Sequence, residues 1–152
     1  MNVPKADLSF VSDSRVLDVL TDYYSQAFRA FEAASYIGSI VACGAVAEGL
    51  LTWSLSLRAK DALASPKAPK DRTGQVMSLE YWSLPKLIEI AGDLGLIGKT
   101  ASQASWALKD FRNFIHPYNL MRQSARPDES LAVNTFTAVG EIARSLKGRL
   151  GS

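Results

Sequence analysis

The chain holds one cysteine and one histidine among its 152 residues. With a single thiol, Cys43, no intramolecular disulfide can form, and its apolar surroundings mark it as a small buried hydrophobe. That usage suits a reducing, cytoplasmic setting. One Cys and one His cannot assemble a structural zinc cluster. The chain has no glycine-rich phosphate loop, and no Ser, His and acidic residue are spaced to suggest a catalytic triad. Neither a metal nor a cofactor is expected. Excess charge is also scarce. A net charge of +2 permits nucleic-acid contact without supplying the basic stripe of a dedicated binder. The residues Met1 to Val11 lack an apolar run behind a basic start, so no signal peptide is expected there.

Also missing are two-residue hydrophobic alternation, hairpin turns, internal repeats and low-complexity tracts. What remains is an ordinary globular composition, 47% apolar and 21% charged. At this length one domain over residues 1–152 can bury a sizeable core. The expected fold is all-α, a single antiparallel bundle of four to five helices. The first helix is placed at about Ser14 to Ala34, capped by Ser12 or Asp13. The second covers about Tyr36 to Leu63 and is apolar on most sides, as suits a helix packed on several neighbours. Its core, Tyr36 to Leu57, has the length of a bilayer span. Glu48 at its middle would cost roughly 3 kcal/mol there on insertion scales, so a buried central helix is expected and no membrane partner.

Residues 65–75, rich in proline and basic side chains, read as a mobile loop, and residues 1–11 as poorly ordered. Ser83-Leu84-Pro85 opens a short helix that ends near Leu94 with Gly95 as its stop. A fourth helix is placed at about Thr100 to His116. Arg126-Pro127-Asp128 starts a last helix, running to about Leu150.

The chemistry gathers at Lys109-Asp110-Phe111-Arg112-Asn113-Phe114-Ile115-His116-Pro117-Tyr118. On a helix, Arg112 and His116 stand at i and i+4 and share a face, with Asn113 at its edge. Pro117 puts the histidine at a helix end. RNA cleavage needs a base for the ribose 2′-hydroxyl, a cation for the phosphorane charge and an acid for the leaving oxygen. Histidine can be base or acid near neutral pH. Arginine holds phosphate oxygens with two donors and stays charged. Asn113 could orient the histidine or bind substrate. With one histidine per chain, an acid–base pair would need a second copy, which points to a homodimer with facing motifs. The same residues have a structural reading: Arg and His near a helix C-terminus favour the macrodipole, and a plain helical scaffold would need no more.

The segment from Leu108 to Tyr118 resembles the signature of the HEPN superfamily (higher eukaryotes and prokaryotes nucleotide-binding), in an Arg-Asn…His-Pro-Tyr form. The second helix around Gly44-Ala45-Val46-Ala47-Glu48-Gly49, and the Ser83-Leu84-Pro85 start followed by Gly95-Leu96-Ile97, are similar to the corresponding parts of such domains. The resemblance implies a HEPN-like bundle, usually dimeric, with the motif pair in a cleft between subunits. In active members Arg112 and His116 would be the catalytic pair of a metal-independent endoribonuclease of toxin–antitoxin or phage-defence type, with Asn113 beside them. Other members bind RNA, nucleotides or proteins without cutting. Toxin members are often paired with a nucleotidyltransferase antitoxin that modifies the motif tyrosine, here Tyr118. The family usually leaves four to six residues between Arg and His, whereas three separate Arg112 from His116. The cation with six intervening residues is Lys109, which lacks the bidentate fork. Glu48 could buttress Arg112 across the bundle, or be a satisfied buried carboxylate.

Overall fold

The computed structural model describes residues 3–109, 111–122 and 126–150. The described residues are helical, with no strand and a single isolated bridge between Lys70 and Val76. Four helices are long: α1 (Ser14–Glu32), α2 (Tyr36–Ser56), α4 (Leu84–Asp93) and α7 (Glu129–Leu150). Three are short: α3 (Ala59–Leu63), α5 (Lys99–Ala104) and α6 (Pro117–Met121).

Asp13 opens α1 by accepting from the amides of Arg15 and Val16 at 3.0 and 3.3 Å. That satisfies donors the first turn cannot pair internally. The helix closes at Ala34, whose φ of +58° turns the chain left-handed. The Ser35 amide then donates to the Ala30 carbonyl at 2.7 Å, sealing the helix end. At Tyr36 α2 begins and folds back along α1. Ile40, Cys43, Val46, Ala47, Leu50 and Leu51 of α2 are all fully buried, because α1, α7 and α4 each cover part of its surface. This helix is long and apolar enough to cross a membrane, and 61% of its apolar window is buried inside the protein. Packing on three neighbours accounts for its apolarity.

The second helix stops at Ser56 rather than continuing to Leu63. The Ser54 and Ser56 hydroxyls donate back to the carbonyls of Leu51 and Trp53 at 2.9 and 2.5 Å. Such back-bonding competes with the helical ladder. Arg58 then leaves the helix, pairs with Asp61 at 2.8 Å and donates to the Leu94 carbonyl at 3.0 Å. α3 follows as a separate turn.

The segments expected to be loose make specific contacts. Leu8 and Val11 are in the core, the Ala6 amide donates to the Tyr24 hydroxyl at 2.8 Å, and Lys147 meets Asp7 at 2.7 Å. Residues 3–11 thus pack against α1 and α7; residues 1 and 2 lie outside the described residues. In the 65–75 loop, Asp71 accepts from the Thr73 and Gln75 amides at 2.8 and 3.1 Å, and Lys67 reaches Asp93 at 2.9 Å. Gly74, at φ +86°, makes the left-handed turn this requires.

Tyr24, Phe28 and Phe31 of α1 gather around Phe136 of α7, with ring centroids 4.8–6.3 Å from it. This aromatic cluster and α2 hold the frame on which the motif segment rests.

Candidate functional site

The motif does not ride on one long helix. After α5 the chain tightens into a 3-10 helix over Ser105–Leu108, and a second one spans Phe111–Ile115. The Ser105 hydroxyl donates to the Ala101 carbonyl at 2.6 Å and competes for the acceptor of the α-helical ladder. The expected Thr100–His116 helix is broken here. Asp110 lies outside the described residues. His116 is extended, at φ −108° and ψ 110°, and caps the start of α6. His116 thus stands between the end of the Phe111–Ile115 turn and the start of α6, and Arg112 and His116 are not an α-helical i,i+4 pair.

α2 positions the segment at two places one turn apart. A Cβ on Gly44 would lie 2.2 Å from the Phe111 ring, so glycine alone lets that ring sit against the helix backbone. One turn on, the Glu48 carboxylate accepts from Arg112 Nε at 3.0 Å and from Nη2 at 2.8 and 3.0 Å. Glu48 and Arg112 thus meet across the bundle. Phe111 is buried and Arg112 points outward, its side chain 62% exposed against 20% for Glu48. The guanidinium is thus fixed in direction while most of its surface stays open.

His116 and Tyr118 are exposed, Tyr118 at 75%, while Asn113 is half-buried. Exposed Ile115 and Met121 border them. The His116 carbonyl accepts from the Asn119 and Leu120 amides at 3.0 and 3.1 Å, which anchors its backbone as α6 begins.

Lys109 does not share the Glu48 carboxylate. Its Nζ lies 4.8 Å from the centroid of the Trp106 ring, on the wall of a cleft of about 620 Å³ between α4 and α5. The cation with the longer spacing from His116 therefore serves another surface.

Comparison with protein-family models, with curated proteins and with solved structures returned no match. The functional reading rests on the motif and on this geometry. Among the described residues, no three His, Cys, Asp or Glu side chains gather to hold a metal. Cys43 is buried beside α7, and burial pushes its thiol up to about 12, against a smaller opposing effect of Thr135. A thiol so raised is inert as a nucleophile near neutral pH.

Two residues escaped the sequence reading. Trp106 is 59% exposed, whereas Trp53 and Trp82 are buried. An aromatic in a helical window reads as core, so nothing in the sequence set it apart. Gly44 did carry a signal: a glycine inside a strongly apolar helix marks a close approach by a neighbour.

Proposed function

We propose that this chain is a HEPN-like domain acting on RNA. The surface carrying Arg112, Asn113, His116 and Tyr118 binds single-stranded RNA. Where two copies meet as a homodimer, that surface cuts without a metal. The observation that supports this best is the outward-facing Arg112, held by Glu48, with His116 exposed four residues further along the chain. Arg112 stabilises phosphate charge, and the two His116 rings of a dimer supply base and acid.

The test is cleavage of labelled single-stranded RNA in chelator. His116→Ala and Arg112→Ala should each lose about two to four orders of magnitude in rate. Wild-type turnover no faster than His116→Ala sinks the nuclease reading. Tyr118 is open enough for a modifying nucleotidyltransferase to reach. Mass spectrometry after co-expression with such an enzyme would show a nucleotide adduct lost in Tyr118→Phe.

A second reading is favoured by the Glu48–Arg112 pair itself. A guanidinium already sharing a carboxylate is a weaker stabiliser of developing phosphorane charge, and the three-residue spacing adds to this. In that reading the domain binds RNA without cutting it. Binding that persists in His116→Ala but falls in Arg112→Ala, with no cleavage by wild type, would select it.

A further inference from the structure

The cleft between α4 and α5 lies outside the Arg112–His116 surface and has its own chemistry. Ile88 and Ile97 line it, each more than nine-tenths buried, and Trp106 stands at its edge. An indole left 59% exposed at the edge of a partly apolar cleft presents open aromatic surface to a flat ligand. Lys109 lies over that ring at 4.8 Å, and Lys99 lines the same cleft.

The two carboxylates of the cleft are already engaged. Glu89 accepts from Lys86 at 3.1 Å, and Asp93 pairs with Lys67 at 2.9 Å. Neither is therefore an open negative charge, and Lys99 and Lys109 leave the cleft with a positive balance. Ser102 adds a hydroxyl to its lining. A volume of about 620 Å³ is in the range of sites that hold a small organic ligand.

We propose that this cleft binds one nucleotide unit, its base stacked on Trp106 and its phosphate held by Lys99 and Lys109. The ligand chemistry follows from the lining. A flat ring meets a flat exposed ring, and the attached anion meets an ammonium within one side-chain length of it. Two sources share that chemistry, a free mononucleotide and a nucleotide within single-stranded RNA. The RNA source rests on the reading proposed above. Lys109 stands three residues before Arg112 in the sequence.

The experiment is a titration of the full chain followed by tryptophan fluorescence. Its arms are uridine and adenosine monophosphates, a single-stranded RNA oligonucleotide, and inorganic phosphate alone. Quenching by nucleotide or RNA, absent in Trp106→Ala and retained in Trp106→Phe by a competition assay, is the expected result. Affinity should fall about tenfold or more in Trp106→Ala. Lys99→Ala and Lys109→Ala should weaken binding and flatten its salt dependence. Trp106 is exposed, so circular dichroism should show each variant folded.

RNA binding that ignores Trp106→Ala but falls in Arg112→Ala overturns the cleft and leaves the RNA reading standing. Mononucleotide binding that needs Trp106, with no RNA bound, supports the cleft and counts against the RNA reading. Equal quenching by phosphate alone, or no response in any arm, overturns the cleft.

Discussion

Glu48 and Arg112, 64 residues apart in sequence, meet through three donor–acceptor contacts of 2.8–3.0 Å. Nε and Nη2 both point at one carboxylate, the two-donor geometry that lysine cannot reproduce. The pair is partly exposed, so its coupling should be roughly 0.5–1 kcal/mol in a double-mutant cycle of Glu48→Gln and Arg112→Gln. Its larger consequence is for a bound anion. Glu48→Gln removes the charge that competes with phosphate for the guanidinium. RNA affinity should rise and the salt dependence steepen in Glu48→Gln, measured by fluorescence anisotropy across a salt series. Unchanged affinity and slope would mean that Arg112 does not meet the phosphate.

The Gly44–Phe111 contact predicts an asymmetry between two glycines in helices. Alanine normally gains about 1 kcal/mol over glycine inside a helix. At Gly140 of α7 an added Cβ meets nothing within 4 Å, so Gly140→Ala should stabilise by roughly 0.5–1 kcal/mol. At Gly44 the added Cβ would lie 2.2–2.6 Å from atoms of the Phe111 ring. The ring must move, and overpacking of this kind costs about 1–3 kcal/mol. Because Phe111 precedes Arg112, Gly44→Ala should also shift the guanidinium from its outward position and lower RNA binding. Thermal melts of the two variants should shift in opposite directions.

The parts of the fold that were legible in sequence are those set by local rules. Asp13 as a cap, Ser83-Leu84-Pro85 as a start and Gly95 at φ +74° as a stop each act within one turn. The Glu48–Arg112 contact was also within reach, since a lone carboxylate in an apolar helix needs a partner. The helix breaks at Ser56 and Ser105 were not. At both, a serine hydroxyl turns back onto a carbonyl, yet Thr135 and Thr137 make the same bond inside the unbroken α7, so residue type does not mark the break. Once α5 ends early, the helical spacing that tied Lys109, Arg112 and His116 together no longer applies. Lys109 then turns to Trp106, whose exposure no periodicity could reveal.

The N-terminal segment is pinned to the end of α7 by Asp7 and Lys147, 2.7 Å apart. The hydrogen bond from Lys147, with further donors from Ser9, holds the Asp7 carboxyl well below the usual carboxylate range. A depressed folded-state pKa contributes stability that is present above the unfolded value of 3.8. That contribution is lost as pH falls through the folded value. Asp7→Asn should therefore lower stability at neutral pH and flatten the acid limb of a stability–pH curve below about pH 4. Both groups are surface-exposed, so about 1 M salt should shrink the difference between wild type and variant. An acid limb of identical slope in Asp7→Asn would show that the strap is not held by this pair.

Cys43 reports on the opening of the same core. Its thiol is fully buried in α2, and burial raises it from 9.0 to about 12. A raised acid favours its protonated form in the folded state, so its contribution is intact below about pH 9 and is lost as pH climbs toward 12. At pH 8 a thiol reagent should leave native protein unlabelled and react at the rate of core opening. Labelling should accelerate in Gly44→Ala, whose displaced Phe111 loosens the face of α2 one residue from Cys43, and slow in Gly140→Ala. Rapid labelling of wild type would place Cys43 at an accessible surface and contradict the packing of α2 between α1 and α7.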